Sequence, residues 1–412
     1  MHKSPLRIGL LSYRSNPHCG GQGGYIKNLS RALLSLGHRV DVVSGPPYPE
    51  VDPGIRLIKM PSLDLYDPED PFRLPKLHEL KDMTNLIEWI GVSTMGFPEP
   101  FTFGLRAARY IHKNRHRYDV IHDNQSLSYG TWMIKNVLPT LATIHHPITV
   151  DREIAVKSAP HLWQKLKELR WHSFLDMQKR VARRIPHVIT VSESARSDIS
   201  RAFKIPEERF SIVPNGINTQ LFYPVKGICR EKNRIIVTNS ADTPLKGLHY
   251  LLMAVSEIAR KRDIRLVVVG KPKKNGMVVK LIRQLGIGHL VTFTGRISYG
   301  EFVEQYARAA VAVVPSVYEG FGLPAGEAMA CGVPVISTTG GALPEVVGDA
   351  GILIPPADPE ALVKALFSVL DHPEYAQKLS QAGYRRVQNH LTWHAAAKKT
   401  VAAYDKVIHD YC

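Results

Sequence analysis

Residues 311–337 read VAVVPSVYEGFGLPAGEAMACGVPVIS. The run 311–314 is short, wholly apolar and closed by Pro315, the composition of a parallel strand covered on both faces. Residues 333–337 form a second run of this kind. Between them lie Gly320-Phe321-Gly322-Leu323-Pro324 and a stretch of helix formers ending at Gly332, so the order is strand, glycine loop, helix, strand. Pro324 suits the first turn of a helix, where its missing N–H is not needed, and Gly332 suits its stop. The N–H groups of Gly322, Leu323 and Ala325 are then expected at a helix N-terminus, a ready site for a phosphate or diphosphate. Two carboxylates bracket the loop, Glu319 just before it and Glu327 on the first helical turn. That spacing lets one reach a sugar and the other a ribose across a diphosphate held between them.

The segment Glu319-Gly-Phe-Gly-Leu-Pro-Ala-Gly-Glu327 resembles the E-x7-E signature of retaining glycosyltransferases of the GT4 type. The resemblance implies a GT-B fold: α/β, with two Rossmann-like domains whose parallel sheets face an interdomain cleft. It also implies roles. The second glutamate binds the ribose of a nucleotide sugar, the first contacts the donor sugar, and the amides of Gly322 and Leu323 hold the β-phosphate. Without the resemblance, the same residues make an ordinary βαβ turn with two solvated glutamates.

A chain of 412 residues with 44% hydrophobic side chains can build two cores of comfortable domain size. The formal net charge of +16 makes an anionic partner plausible, and the excess is spread along the chain, with 30 basic against 21 acidic side chains in residues 1–224. It is therefore not a basic tail. Cys19, Cys229, Cys331 and Cys412 form no CxxC pair and are too scattered for a disulfide framework, which fits reduced thiols in a cytoplasm. The first residues carry no long apolar run and no window approaches the ~20 apolar residues of a membrane span, so neither secretion nor membrane integration is expected.

Along the chain, residues 7–12 read as a first strand, followed by Cys19-Gly-Gly21-Gln-Gly23-Gly24, an amphipathic segment 25–36 and a strand 39–44. This βαβ opening could suggest a dinucleotide fold, but the glycines do not follow G-x-G-x-x-G and no acidic residue ends the second strand, which disfavours NAD. The glycines resemble the N-terminal GT4 loop, which implies that Gly21 and Gly23 approach the donor diphosphate; a tight turn needing positive φ reads equally well. Residues 48–100 read as irregular connection. Residues 103–117 form a basic helical stretch, and 160–185 reads as one long helix with Leu162, Leu166, Leu169, Phe174, Met177 and Val181 on one face. The basic residues 157–184 suit either a helix lying on an anionic membrane or an interior-packing helix with a solvated basic face, and together with 103–117 they suggest a membrane-presented acceptor. Strands 119–122 and 141–144 end in His122-Asp-Asn-Gln125 and His145-His146, at the sheet edge where α/β folds bind ligands. By resemblance His145 is the histidine beside the donor sugar, with His146 the competing choice.

The second domain opens at the strand 234–239, and Lys246 fits a diphosphate ligand whose ammonium neutralises the leaving group. GT4 enzymes commonly carry an arginine six positions earlier, where this chain has Ser240, so either Arg296 or Lys271 supplies the missing charge or the donor is held differently. The segment Gly295-Arg296-Ile297 resembles the family's base-contacting loop. Trp393 and the helix after it resemble the closing helix that returns to the first domain. The domains expected are thus 1–220 with 395–412, and 221–394. No Asp-x-Asp occurs in the chain, which agrees with a metal-independent reaction and no cofactor beyond the nucleotide sugar.

These features point to a cytoplasmic retaining hexosyltransferase, with a UDP-sugar as the expected donor and a glycan or lipid-linked acceptor, peripheral to the inner face of a membrane. Family analogy adds a same-face route in which the leaving phosphate oxygen takes the acceptor proton. Other classes are a non-catalytic or phosphorylase-like GT-B protein, whose pyridoxal phosphate absorbance would show, and a basic nucleic-acid-binding protein. The last is disfavoured because no recognised module and no stacking aromatics interleave with the basic runs.

Overall fold

The computed structural model of the protein describes residues 4–16, 21–67, 70, 73–159, 161–238, 243–274 and 276–411. Cys19, Pro160 and Ser240 lie outside the described residues. The chain divides into two compact units, the first running to Val191 with Ala195–Val213 and the residues from Ala396, the second comprising Ser192–Ser194 and Pro214–Ala395.

The first unit is built on seven parallel strands: β1 (Arg7–Ser12), β2 (Arg39–Ser44), β3 (Arg56–Lys59), β4 (Val120–Asn124), β5 (Thr140–Thr143), β6 (Val188–Thr190) and β7 (Phe210–Ile212). Their order in the sheet is β3-β2-β1-β4-β5-β6-β7. Strands β4 and β5 are buried along their whole length, as expected of a sheet covered on both faces. The helices are α1 (Gly21–Ser35), α2 (Met83–Ser93), α3 (Glu99–Lys113), α4 (Tyr129–Lys135), α5 (Ile148–Ser158), α6 (Leu162–Trp171), α7 (Phe174–Ala182) and α8 (Glu193–Phe203).

Departures from expectation here have identifiable reasons. The single helix expected over 160–185 is two described helices, α6 and α7, broken at His172-Ser173. Their burial explains why one apolar pattern covered both: α7 buries Leu175, Met177 and Val181, whereas α6 buries nothing and leaves Leu162, Trp163, Leu166 and Leu169 exposed. The basic stretch 103–117 is helical as expected, in α3, but its bases do not all face solvent. Arg106 is buried and paired with the buried Glu88 at 2.6 Å, a desolvated ion pair further bonded by Leu63 N–H and Asn85. Residues 48–100 contain β3 and α2, whose Asp82 cap accepts from Thr84 and Asn85 N–H.

The second unit carries six parallel strands, β8 (Arg234–Thr238), β9 (Arg265–Val269), β10 (Val291–Phe293), β11 (Val311–Val314), β12 (Val335–Thr338) and β13 (Ile352–Ile354), ordered β10-β9-β8-β11-β12-β13. Helices α9 (Leu248–Ile258), α10 (Met277–Leu285), α11 (Tyr299–Arg308), α12 (Leu323–Ala330), α13 (Leu343–Val347), α14 (Pro359–Leu370) and α15 (Pro373–His390) complete the crossovers. A core of aliphatic side chains from β8, β9, β11, α9 and α14 fills one face. The last helix, α16 (Trp393–Tyr411), belongs to the first unit from Ala396 onward.

Numbered from its own first strand, the second sheet has the order 3-2-1-4-5-6, and the first sheet has that order with one strand added. This is the doubly wound Rossmann order, in which the connections run to opposite sides at the neighbours 1 and 4 and leave a crevice at their carboxyl ends. In the first unit that point lies between β1 and β4, in the second between β8 and β11.

Candidate active site

The carboxyl ends of β8 and β11 hold the first cluster. After β8 the chain makes one tight turn, Pro244–Lys246, stopped by Gly247 at φ 68°. A Cβ at Gly247 would stand 1.9 Å from the Pro315 carbonyl oxygen, so only glycine lets the loops after the two strands touch. Leu245 O then accepts from Val317 N–H at 2.8 Å. This approach brings Lys246 Nζ to 2.6 Å from Glu319 Oε1, and Ser316 Oγ donates to the same oxygen at 2.9 Å. Lys246 and Glu319, assigned by resemblance to diphosphate and sugar, are thus bonded to each other. Glu319 is only 9% exposed, and the loop behind it is tied down by Ala342 N–H donating to its carbonyl at 2.9 Å.

The glycine loop continues to Gly322, whose φ of 102° is left-handed and whose added Cβ would meet Leu343 Cδ2 at 2.6 Å. Here α12 begins. The N–H groups of Gly322 and Leu323 bond nothing among the described residues, Pro324 has none, and Ala325 N–H is taken by Gly322 O at 3.1 Å. Two of the three expected amides therefore remain for a ligand, and the third closes the turn. One turn into α12, the Glu327 carboxyl has no hydrogen-bond partner among the described residues, and burial pushes it up to about 7. An unpartnered, desolvated carboxylate is costly in the empty protein and suits a site that a hydroxyl-bearing ligand completes.

Arg296 is not drawn into this cluster. It follows Gly295 (φ 71°) after the edge strand β10, exposed and unpaired among the described residues, with β9 lying between β10 and β8. Lys271 likewise stands exposed after β9.

In the first unit, α1 begins at Gly21, so both sequence-assigned glycines lie in its first turn. Neither has positive φ, which removes the tight-turn explanation; Gly23 is required instead because a Cβ there would sit 2.1 Å from the Asn16 carbonyl oxygen. His145 follows β5 and is half-buried. Its Nε2 lies 2.8 Å from Asn124 Oδ1, its backbone N–H donates to Gln125 Oε1 at 2.9 Å, and its ring meets the Tyr25 ring edge-on at 4.6 Å. Burial, aided by neighbouring His146, pushes the imidazole down to about 3, so it is neutral at ordinary pH. His146 is placed differently: its carbonyl accepts from Gln125 Nε2 at 3.2 Å.

Behind His145 runs a buried polar chain. Tyr404 OH and His122 Nδ1 are 2.8 Å apart, His122 Nε2 and Thr143 Oγ1 2.6 Å, and Thr143 Oγ1 and Tyr25 OH 3.1 Å. Sequence reasoning missed Tyr25, Asn124 and Ser316 as site residues. The polar run at the end of β4 signalled Asn124, and Ser316 lies three positions before Glu319, whereas the contacts of Tyr25 join residues far apart in sequence.

Two Rossmann-type units, with polar side chains at the carboxyl ends of their strands and two amides at the start of α12 unbonded among the described residues, form the arrangement in which α/β folds bind phosphorylated ligands. Residues 19–221 match the family model Glycosyltransferase Family 4 and residues 222–386 the model Glycosyl transferases group 1, and the chain belongs to this glycosyltransferase family, with its GT-B fold. It is 48% identical over 408 residues, 98% of each chain, to the MMP alpha-(1->4)-mannosyltransferase of Mycolicibacterium hassiacum. An uncharacterized glycosyltransferase of Methanocaldococcus jannaschii is 30% identical over 97% of this chain and 98% of its own. Among solved structures, the sucrose-phosphate synthase of Thermosynechococcus elongatus superposes with a TM-score of 0.74 at 26% identity, covering 98% of this chain and 99% of that one.

Proposed function

We propose that this glycosyltransferase moves an α-mannosyl group from a nucleoside-diphosphate mannose to the 4-hydroxyl of a sugar in the acceptor that its relative's name gives, MMP. The observation that carries the reading is the 48% identity to the MMP alpha-(1->4)-mannosyltransferase, end to end in both chains. An α product from an α-linked donor is retention, the outcome expected of the E-x7-E signature. The second unit binds the donor: Glu327 takes ribose hydroxyls, and the Gly322 and Leu323 amides take the diphosphate.

Transfer leaves negative charge on the departing diphosphate while the anomeric carbon becomes oxocarbenium-like. Lys246 is the cation that answers that charge, and no metal is needed. It is held in the empty enzyme by Glu319, and the bound donor replaces that carboxylate as its partner. His145, neutral, offers the first unit's sugar contact.

The test is transfer to MMP from GDP-mannose, UDP-glucose and ADP-glucose in the presence of EDTA, with the linkage of the product read by NMR. A new α-(1→4) mannosyl bond is expected. Transfer of glucose but not mannose, or activity abolished by EDTA and restored by a divalent cation, overturns the reading.

A second reading, docking on an anionic membrane, is favoured by α6 alone. Its exposed Leu162, Trp163, Leu166 and Leu169 accompany Lys165, Lys167 and Arg170 on a helix with no buried residue. Flotation with anionic vesicles at low salt checks it, and an unbound protein rejects it.

A further inference from the structure

The carboxyl ends of the adjacent strands β4, β5 and β6 gather polar side chains that the proposed reaction has not used. Asn124, the last residue of β4, is 1% exposed. Its side-chain oxygen lies 2.8 Å from His145 Nε2. With the amide oxygen turned to the ring it can only accept, so this arrangement places the ring proton on Nε2 and leaves Nδ1 as the lone-pair nitrogen. The rest of the surroundings hold that ring still. Tyr25 meets it edge-on, and Gln125, bonded to the His145 N–H, is itself fixed at the left-handed φ of 58° and bonded at its carbonyl by Gln178 Nε2 at 3.0 Å.

The other end of the Asn124 amide is unused. Its Nδ2 is buried and has no hydrogen-bond partner among the described residues, and at the end of β6 the buried Thr190 Oγ1 has none either. Buried amide donors are almost always satisfied, so an orphan beside the ring of a candidate site residue is best explained by a ligand oxygen.

We propose that Asn124 is a positioning residue for sugar transfer: its oxygen keeps His145 in the Nε2–H form with Nδ1 as acceptor, while its Nδ2 donates to a hydroxyl of the bound sugar. This rests on the reading that His145 serves the reaction. The titratable groups around the ring are Tyr25 on α1, His122 on β4 and the adjacent His146; Asp123 turns away, both its oxygens engaged by Ser126, Leu127 and Thr131. The amide at 124 is thus the hydrogen-bond partner that decides which nitrogen is protonated.

Two measurements on the full-length protein test it. In the wild type, histidine 15N correlation spectra, with His145 assigned by its loss in His145→Gln, should show a neutral Nε2–H ring at pH 7 and still at pH 5. An Nδ1–H tautomer or an imidazolium overturns the proposal, whether or not any variant folds. In Asn124→Asp a carboxylate replaces the amide and stabilises the imidazolium. The kcat/KM profile for transfer should therefore gain an acid limb between about pH 5 and 7, with kcat at pH 6 down at least about ten-fold. A merely structural residue would lower activity without a new limb, so a variant profile parallel to the wild type sinks the proposal. If His145→Ala transfers sugar at the full rate, the reading of His145 fails. If that variant is inactive while the Asn124→Asp profile stays flat, the role given to Asn124 fails alone.

Discussion

At the scale of single residues, the two carboxylates that bracket the glycine loop of the second unit differ: one has a partner and the other has none among the described residues. Glu319 is bonded by Lys246 and Ser316; Glu327 by nothing among the described residues. The Glu327 carboxyl is raised from 4.5 to about 7, so the native state favours its protonated form. Its contribution to stability is therefore fully present below pH 4.5, is lost as pH rises toward 7, and is absent above. Glu327→Gln should stabilise the ligand-free protein at pH 8 by on the order of 2 kcal/mol, seen as a higher melting temperature, and leave it nearly unchanged at pH 4.5. The same variant should weaken nucleotide binding, since the ribose contact is lost; a thermal melt with and without nucleoside diphosphate reads both effects. Lys246→Ala has another signature. In the role proposed for it, against the leaving diphosphate, its loss should cut kcat by roughly 100- to 1000-fold with a smaller change in donor KM. Unchanged donor turnover in both variants would contradict the site.

Elements place these residues through backbone approach more than through side-chain packing. Gly322 combines a left-handed φ with a Leu343 side chain 2.6 Å from where its Cβ would stand, so Gly322→Ala should disturb the start of α12 and cost on the order of 1–3 kcal/mol. Gly24→Ala, where an added Cβ meets nothing within 4 Å, is the matched control; it lies in α1 and should be neutral or mildly stabilising by about 0.5–1 kcal/mol. Chemical denaturation of both variants checks the contrast. The same distinction explains how far the sequence could be read. The strands β11 and β12 and helix α12 were legible because their order, glycine, proline and β-branched residues carry local signals. The Lys246–Glu319 bond was not, because it depends on Gly247 passing within contact of Pro315, a tertiary approach without a local pattern. Helices α6 and α7 were merged for the complementary reason: apolar spacing looks alike whether the stripe is buried, as in α7, or exposed, as in α6.

At the scale of the whole molecule, the last helix has consequences for the first unit out of proportion to its place in the chain. From Ala396 onward α16 belongs with β1–β7, and it buries Ala396, Ala397, Thr400, Ala403, Tyr404 and Val407 there. Tyr404 is fully buried and bonds His122 Nδ1, the start of the polar chain that runs through Thr143 to Tyr25 beside His145. His122 is held down at about 3 by burial and needs both ring nitrogens satisfied while neutral. Tyr404→Phe removes one of those partners and should destabilise the first unit by about 1–3 kcal/mol. Deleting residues 396–412 removes the bond and the apolar surface together, and should abolish the cooperative melting of the first unit. The second unit has its own aliphatic core and carries the proposed donor site, so its transition should persist and still move upward when a nucleoside diphosphate binds. Scanning calorimetry of the deletion variant decides between outcomes: a surviving nucleotide-responsive transition alongside a lost one is expected. Two transitions unchanged from those of the intact chain would mean that α16 is not part of the first unit's core.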